Sequence, residues 1–339
     1  MPHYTKRSEP KLTEQDNLPR GPFRVGDRVQ LTGPKGRLNT ITLEVGASFG
    51  THRGELKHDD IIGQLEGSVI KNHNGVEYLA LRPLLTDFVL SMPRGANIIY
   101  PKDSALIVTM GDIFPGARVV EAGVGSGGLS MYLLRAIGPN GRLDSFERRS
   151  EFAEIAKANA ISQLGYEPKN WQIHIGDLQE KLGQVIATHE ADRVVLDMLA
   201  PWECVEESAE ALVPGGLIIG YVATVTQLSR FTEAVKASGH FAEPEAFETL
   251  FRTWHLQGLA VRPDHRMIGH TGFLVTARRL APGTVLPRFK GKQKPEFSDE
   301  DLAAWNPDHL GERSVSDKKL RKTVRNANAT AKARLEQED

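Results

Sequence analysis

A strand, a glycine-rich turn and a helix in immediate succession constrain this chain more than any other feature. An apolar run begins at Arg118 and ends at Ala122, and a helix-forming sequence follows the turn. The turn holds four closely spaced glycines, which permit positive φ angles and close approach of the backbone to a ligand: Gly123, Gly125, Gly127 and Gly128. Their spacing also satisfies the dinucleotide-binding pattern, which alone is weakly specific. The segment predicts the first β–α unit of a ligand-binding α/β domain.

Glu121, near the end of that first strand, indicates the charge of the ligand. A carboxylate pointing into the crevice would repel a pyrophosphate bound at the helix N-terminus. It would suit a cation such as S-adenosylmethionine, which carries an ammonium and a sulfonium group and no phosphate. A tight turn that binds nothing is the alternative, which the spaced glycines disfavour. We therefore predict S-adenosylmethionine as the cofactor.

Strand and helix patterns alternate between positions 118 and 285. Ser150 and Thr226 are expected helix N-caps, and two last strands, at 254–261 and 272–279, are expected to form an antiparallel edge hairpin. The pattern predicts a doubly wound, mostly parallel, seven-stranded sheet, which binds ligands at the carboxyl ends of its strands. Its other elements are five strands at 118–122, 142–147, 171–176, 192–197 and 216–222, and four helices at 128–137, 151–164, 202–212 and 227–238.

Polar residues at these strand ends are candidates for ligand contact. Glu147 follows the glycine loop by about two dozen residues, where a carboxylate can accept both hydrogen bonds of a ribose diol. Asp177, after Gly176, is placed to accept a hydrogen bond from the adenine amine, although Gly-Asp is also an ordinary turn. Asp197 lies where the transferring group of the cofactor should project, and Tyr221 reaches the same rim. The structural alternatives are a surface carboxylate for Glu147, a helix cap for Asp197 and a core residue for Tyr221.

The remaining sequence divides into four regions. Residues 1–20 are polar and predicted to be flexible, and residues 86–117 are a connector. Residues 286–339 form a polar, basic tail that is predicted to be disordered. Residues 21–85 are predicted to form a small β domain with a hairpin turn at Asn74-Gly75 and strands at 23–31, 39–45, 61–70 and 76–81.

Composition excludes several classes of protein. The 339 residues include 42 basic and 43 acidic side chains, so no overall charge attracts a nucleic acid and any such surface must be local. Cys204 is the only cysteine, which excludes an intrachain disulfide and a cysteine-rich zinc site. No apolar run reaches the length of a membrane span, and no signal-peptide core is present. We expect a cytoplasmic protein that does not contact membranes.

Several motifs together resemble class I S-adenosylmethionine-dependent methyltransferases: the glycine loop, Glu147, Gly176-Asp177 and Pro214-Gly215-Gly216. A closer resemblance, over residues 21–280, is to the bacterial and archaeal tRNA (adenine-N1)-methyltransferases that modify adenosine 58 in the T-loop. Four further segments carry it: Ile99–Asp103, Leu196–Trp202, Tyr221–Gln227 and Arg262–Phe273. The resemblance implies a tRNA substrate, S-adenosylhomocysteine as a product and a homotetramer. It implies nothing for the residues after Pro287.

Carried over position by position, the resemblance also implies roles for individual residues. Tyr100, Asp197 and Tyr221 would line the adenine pocket. Adenine N1 is itself a nucleophile, so the enzyme needs no strong base; Asp197 would accept a hydrogen bond from the N6 amine and stabilise the developing positive charge. Tyr100 and Tyr221 would flank the extruded base. Residues that would contact the cofactor are Ser126, Gly127, Gly128, Leu129, Glu147, Phe152, Asp177 and Asp197.

Histidines and basic residues outside these motifs have weaker interpretations. His265 and His270 lie near Asp264, but we predict packing or RNA contact there and no metal site. Three arginines form a candidate basic rim: Arg252, Arg262 and Arg266. The tail carries seven cations without an intervening acid: Lys318, Lys319, Arg321, Lys322, Arg325, Lys332 and Arg334. A solvated end is the common interpretation of such a run, and a phosphate-binding arm is the alternative for an RNA enzyme.

Two other functions stay open at this point. One is a class I methyltransferase for another substrate, such as protein isoaspartate, which the Leu196–Trp202 segment and the β domain disfavour. The other is a non-catalytic tRNA-binding subunit with a decayed cofactor site, which Glu121, the spaced glycines and Asp197 disfavour. The sequence does not indicate whether adenosine 57 is also modified.

Overall fold

The computed structural model describes residues 20–286, 298–305 and 315–335. Nearly all of the N-terminal segment predicted to be flexible therefore lies outside the described residues. The chain forms two compact units. The first consists of Met1–Met92, Lys157–Pro168 and Asn326–Asp339, and the second of Pro93–Ala156 and Lys169–Arg325.

The first unit contains the small β domain that the sequence predicts. Its elements are β1 (Arg28–Thr32), β2 (Leu38–Thr42), β3 (Ser48–Thr51), β4 (Gly54–Lys57), β5 (Val69–Lys71), β6 (Glu77–Leu81) and helix α1 (Leu85–Ser91). Four strands form an antiparallel sheet in the order β2-β1-β6-β5, and β3 pairs with β4. Alternate residues such as Val29, Leu31 and Ala80 are fully buried in its core. The hairpin at Asn74-Gly75 is confirmed, since β5 and β6 pair across it and Gly75 has φ +74°.

Two predicted strands of this domain are wrong over part of their length. Of the span 61–70, only the last two residues belong to a strand, β5 (Val69–Lys71). Gly63 and Gly67 have φ angles of +86° and +87°, which an extended strand does not contain. Likewise, the strand predicted from position 23 begins only at Arg28, after Gly26 with φ +78°.

The second unit contains the predicted seven-stranded sheet. Strand order is β12-β15-β11-β10-β7-β8-β9, with β15 antiparallel to both of its neighbours and the other adjacent pairs parallel. This is the doubly wound, mostly parallel fold expected from the sequence. Its elements are α2 (Pro101–Met110), β7 (Arg118–Ala122), α3 (Gly128–Ile137), β8 (Arg142–Glu147), the first half of α4 (Ser150–Leu164), β9 (Trp171–Ile175), α5 (Leu178–Val185), β10 (Ala191–Leu196), α6 (Val205–Ala211), β11 (Leu212–Val222), α7 (Val225–Ser238), β12 (Glu245–Phe247), β13 (Trp254–Gln257), β14 (Ala260–Pro263) and β15 (Phe273–Arg278).

Two local predictions in this unit are corrected by the structure. The N-cap of α7 is Thr224, not Thr226; its hydroxyl accepts a hydrogen bond from the Gln227 amide, and the Gln227 side chain accepts one from the Thr224 amide. The segment 254–261 does not pair with the last strand. Gly258, with φ +54°, allows it to fold back so that β13 pairs with β14, while β15 pairs with β11 and β12.

The C-terminal region contains two helices, α8 (Asp299–Trp305) and α9 (Asp317–Leu335), where the sequence predicted disorder. That prediction is wrong for these residues because α9 buries one side of itself. Leu320, Ala327, Ala331 and Arg334 are each less than a tenth exposed. The segment is rich in charged residues and its buried face is narrow, so its composition alone predicted disorder. None of the described helices is both long enough and apolar enough to cross a bilayer.

Candidate active site

The glycine loop after β7 is in direct contact with the segment that follows β10. Gly123 has φ +90°, and a Cβ atom there would overlap the carbonyl oxygen of Asp197. The Asp197 amide donates a 2.8 Å hydrogen bond to the carbonyl of Ala122. Only glycine fits at position 123. Because it has no side chain, the backbone of Asp197 can lie directly against the loop.

The other two spaced glycines serve different contacts. Gly125 (φ +53°) donates its amide hydrogen to Oε2 of Glu147 at 3.1 Å. Gly127 (φ +80°) is the N-cap of α3 and lies against Ala156, to whose Cα an added Cβ would come within 3.1 Å. Gly128 then begins the helix. The loop is thus held between β8, β10 and α4.

Glu147 ends β8 with its carboxylate fixed from both sides. Oε2 accepts the Gly125 amide hydrogen, and Oε1 accepts the Arg149 amide hydrogen, also at 3.1 Å. Only 7% of the residue is exposed. Each oxygen keeps acceptor capacity, so the position suits the ribose contact predicted from the sequence.

Glu121 does not lie in the open crevice that its sequence position predicts. It has no exposed surface, and its carboxylate accepts hydrogen bonds from Ser130 Oγ at 2.8 Å and from Ser145 Oγ at 2.7 Å. The expectation that it points freely into the crevice is therefore wrong, because hydroxyls on α3 and β8 hold it beneath the loop. Burial raises the pKa of Glu121 to about 7, and the nearby charge of Glu147 adds to this effect.

The carboxyl group of Asp197, directly after β10, lies within the electrostatic field of Glu121 and Glu147. Burial raises the pKa of Asp197 to about 7, and the charges of Glu121 and Glu147 contribute to this rise. Three carboxyl groups are therefore electrostatically coupled at the carboxyl ends of β7, β8 and β10. Such a cluster favours a positively charged ligand, which would relieve their mutual repulsion.

Tyr221, at the end of β11, is held by a polar cluster that sequence reasoning missed. Asp103, which is 1% exposed, accepts hydrogen bonds from Thr271 Oγ1 at 2.6 Å and from the Tyr221 hydroxyl at 3.5 Å. Lys102 Nζ donates to Asp103, to Thr271 Oγ1 and to the Thr249 carbonyl at 2.6–2.7 Å. Burial and then the charge of Asp103 raise the pKa of Tyr221, so its hydroxyl stays protonated.

The ring of Tyr221 is fixed from behind as well. A Cβ atom on Gly272 would overlap the Tyr221 ring and hydroxyl, so the backbone of that loop lies directly against the tyrosine. Tyr100 is 37% exposed and immediately precedes α2, the helix that carries Asp103. Thus the start of α2 provides both an exposed tyrosine and the partner of Tyr221.

The other predicted cofactor residues are less accessible. Ser126 is 1% exposed and its hydroxyl accepts the Gly95 amide hydrogen at 3.2 Å. Phe152 has no exposed surface, and a Cβ on Gly95 would come within 2.6 Å of its ring. Leu129 is 4% exposed. These side chains pack behind the loop, together with the segment at Gly95, whose contribution no sequence motif indicates.

Asp177 follows Gly176 and is the N-cap of α5. Its carboxylate pairs with Nε of Arg148. The Gly176 amide donates a 2.9 Å hydrogen bond to the carbonyl of Glu147, which ties the ends of β8 and β9 together. Asp177, the predicted adenine contact, thus lies beside Glu147, the predicted ribose contact. The carboxylate of Asp177 is paired with Arg148.

The histidines of the 264–270 loop have structural contacts. His270 Nδ1 lies 2.9 Å from Oε2 of Glu248 and its Nε2 lies 3.0 Å from the Ala223 carbonyl. The hydrogen bond with Glu248 raises the pKa of His270. Within residues 20–286, 298–305 and 315–335, we find no group of three or more side chains arranged to hold a metal ion.

Comparison with known proteins identifies the family. Residues 21–70 match the TrmI-like N-terminal family, and residues 78–262 match the family described as tRNA methyltransferase complex GCD14 subunit. The tRNA (adenine(58)-N(1))-methyltransferase TrmI of Thermus thermophilus is 34% identical over 259 residues, which are 76% of this chain and 97% of that protein.

Two further relatives agree with this result. The tRNA (adenine(57)-N(1)/adenine(58)-N(1))-methyltransferase TrmI of Methanocaldococcus jannaschii is 32% identical over 255 residues, which are 68% of this chain and 87% of that protein. The crystal structure of the tRNA (m1A58) methyltransferase TrmI of Aquifex aeolicus superposes with a TM-score of 0.67 and 27% identity, over 77% of this chain and all of that one. This chain therefore belongs to the TrmI family of tRNA (adenine-N1)-methyltransferases.

Proposed function

We propose that this protein transfers the methyl group of S-adenosylmethionine to N1 of adenosine 58 in tRNA. Family membership supports the reaction. The observation that carries the proposal for this chain is the position of Asp197, whose backbone is fixed against Gly123 of the cofactor loop while its carboxyl shares the field of Glu121 and Glu147. In this proposal the carboxylate of Asp197 contacts both the cofactor and the target adenine.

The cofactor site in this proposal is the crevice formed by the glycine loop and the ends of β8 and β9. Glu147 binds the ribose hydroxyls, Asp177 accepts from the adenine amine, and the backbone of the loop contacts the amino-acid portion. The coupled carboxyl groups supply a negative potential for the sulfonium. Glu121 acts through its charge alone, since its oxygens are held by Ser130 and Ser145.

Methyl transfer needs little proton chemistry. The N1 lone pair forms the new N–C bond, the C–S bond breaks with its electron pair going to sulfur, and the positive charge moves from the sulfonium to the adenine ring. The electrophile is the sulfonium itself, so we propose no role for a metal. Asp197 accepts a hydrogen bond from the N6 amine and stabilises the ring as it becomes cationic.

The extruded base requires a rigid pocket. Tyr221 provides one wall, and its hydroxyl and ring are fixed by Asp103 and by the backbone at Gly272. Tyr100, at the start of α2, provides an exposed aromatic surface for the other wall. Preorganisation of this kind reduces the cost of orienting N1 toward the methyl group.

We predict that affinity for S-adenosylmethionine rises between pH 6 and pH 8. Glu121 and Asp197 have pKa values of about 7, and the cationic cofactor favours their ionised forms. Each carboxyl that loses a proton on binding should weaken affinity about ten-fold at pH 6. Calorimetric titration across this range provides the measurement.

S-adenosylhomocysteine is the matched control for this pH dependence, because it has the same amino acid and adenosine but no sulfonium charge. Its affinity should change less with pH. Equal pH dependence for both ligands would contradict the electrostatic role of the cluster.

In the ligand-free protein the same raised pKa values predict that the free energy of unfolding falls as the pH rises from about 4 to 7. In this range only the unfolded chain loses these protons.

We further propose that the protein is a homotetramer and that the β13–β14 hairpin contributes to its contacts. Large apolar side chains are concentrated there, and six are more than half exposed: Leu250, Phe251, Trp254, Leu256, Leu259 and Val261. An exposed apolar patch of this kind is typical of an interaction surface. Leu256 pairs directly with Val261, so both project from one face of the hairpin, with Trp254 beside them.

Substituting both Leu256→Lys and Val261→Lys should reduce the mass of the assembly measured by light scattering. The matched control is Gln257→Lys with Ala260→Lys, a directly paired couple on the opposite face of the same hairpin. The control should keep the wild-type mass. An unchanged mass in the Leu256 and Val261 variant would exclude this face from the subunit contacts.

The reaction is tested by incubating the protein with labelled S-adenosylmethionine and an unmodified tRNA transcript, followed by nucleoside mapping. We expect 1-methyladenosine at position 58 and no label in a transcript with guanosine there. Label at adenosine 57 as well would widen the substrate range. Label in isoaspartyl peptides instead of tRNA would support the rival methyltransferase, and tRNA binding without transfer would support a non-catalytic subunit.

A further inference from the structure

Helix α9 has two faces of opposite character. Leu320, Ala327, Ala331 and Arg334 are buried, and their spacing places them along one side of the helix. Four basic residues are exposed on the opposite side and share the i, i+3, i+4, i+7 spacing of a single helix face: Lys318, Arg321, Lys322 and Arg325. We call these four residues the basic face of α9.

Contacts of the buried side fix each end of the helix. Leu320 lies against the backbone of Gly95, where an added Cβ would come within 3.1 Å of its side chain. Toward the C-terminus, Arg334 pairs with Asp27, and its guanidinium lies next to Gly165. Arg334 therefore does not belong to the exposed basic run in which the sequence placed it. The other cations of this run lie on a helix that these contacts hold in place.

The four residues of the basic face line a groove together with one acid, Asp317. Within the described part of the chain, none of the four forms an ion pair, so the groove has a net positive charge. Like charges three and four residues apart repel one another and weaken a helix. A polyanionic ligand would remove that repulsion.

We propose that the basic face of α9 binds the phosphate backbone of the tRNA substrate. The proposal rests on the proposed function only in naming tRNA as the polyanion. Lys318 to Arg325 span about 10 Å of helix, which corresponds to about three phosphates along one strand of a duplex. The helix also lies outside both family-matched regions, so the contact would be an addition to the shared methyltransferase body.

Charge substitution tests this proposal better than truncation, because deleting α9 would also uncover the surfaces covered by Leu320, Ala327 and Arg334. The test variant is Arg321→Gln with Arg325→Gln, since glutamine keeps helix propensity and solubility while removing the charge. The control variant is Arg135→Gln with Lys157→Gln, the same loss of charge at exposed positions on α3 and α4.

Binding of tRNA is measured as a function of salt concentration. Removing one cation that neutralises a duplex phosphate should reduce the slope of log K against log salt by about 0.9 and should weaken binding about five-fold at 0.15 M salt. The test variant should therefore bind about 30-fold more weakly, with a slope smaller by nearly two. The control variant should retain the wild-type slope, and both should bind cofactor like the wild type.

The outcomes separate this proposal from the proposed function. If the wild type methylates tRNA but the test variant keeps the wild-type salt slope, the basic face is a solvated surface and the proposal fails. If the slope falls equally in both variants, binding depends only on overall charge and the proposal also fails. A wild type that binds tRNA through this face without methylating it would contradict the proposed function alone.

Discussion

Replacing Asp197 by asparagine should lower the single-turnover rate of methyl transfer about 10²–10³-fold. Asparagine keeps the size of the side chain and one acceptor oxygen but removes the negative charge that stabilises the cationic adenine. Asp197→Ala should be at least as damaging. Saturating cofactor and single-turnover conditions separate the chemical and base-positioning steps from product release.

Binding measurements provide the control for Asp197. Affinity for tRNA depends mainly on phosphate contacts, so it should change little in either variant. Removing a like charge from the carboxyl cluster should also let Glu121 ionise more readily. Rates near the wild-type value in both variants would show that Asp197 has only a structural role in the segment that follows β10.

Replacing Glu147 by alanine should weaken S-adenosylmethionine binding by about 1.5–3 kcal/mol, which is roughly 10- to 150-fold. The variant loses the proposed ribose contact and also the partner of the Gly125 amide. Glu147→Gln keeps the shape and an acceptor for that amide but not the charge, so its effect should be smaller. Calorimetric titration measures both.

The control for Glu147 is a carboxylate outside the crevice on the following helix, and Glu151→Ala provides it, since Glu151 is exposed in the first turn of α4. It should bind cofactor like the wild type. An unchanged dissociation constant for Glu147→Ala, with the fold intact by circular dichroism, would remove Glu147 from the ribose role.

The β–α order of the second unit was predictable because local patterns define it. Apolar runs, glycines and turn signals give strand and helix positions directly, and the right-handed connections of such units leave few topologies. The glycine loop, the ends of β8 and β10 and six of the seven strands of the sheet followed from these rules. Strand pairing near the C-terminus did not, because β12 has only three residues and Gly258 redirects β13.

Side-chain direction was harder to predict than position. Glu121 was recognised as important, but Ser130 and Ser145, 9 and 24 residues away, determine that it is held beneath the loop. The Asp103 cluster joins residues 118 and 168 positions apart, so no local pattern reveals it. Arg334 was counted with the exposed cations because its partner Asp27 is 307 positions away.

The hydrogen bond between Asp197 and the adenine amine can be tested most directly by changing both partners. A synthetic tRNA with purine riboside at position 58 lacks the N6 amine, and its single-turnover rate is compared with that of normal tRNA in the wild type and in Asp197→Ala. The change in intrinsic N1 reactivity is common to both enzymes and cancels in this cycle.

Removal of the amine should lower the single-turnover rate of both enzymes. We expect the fold-reduction in the wild type to be about ten times that in Asp197→Ala, or more, which corresponds to a coupling free energy of at least ~1.4 kcal/mol. Either change alone removes the hydrogen bond, so the effects of the two changes on the rate should not be additive. An equal reduction in both enzymes would show that Asp197 does not contact the adenine amine, and the central assignment of this site would be wrong.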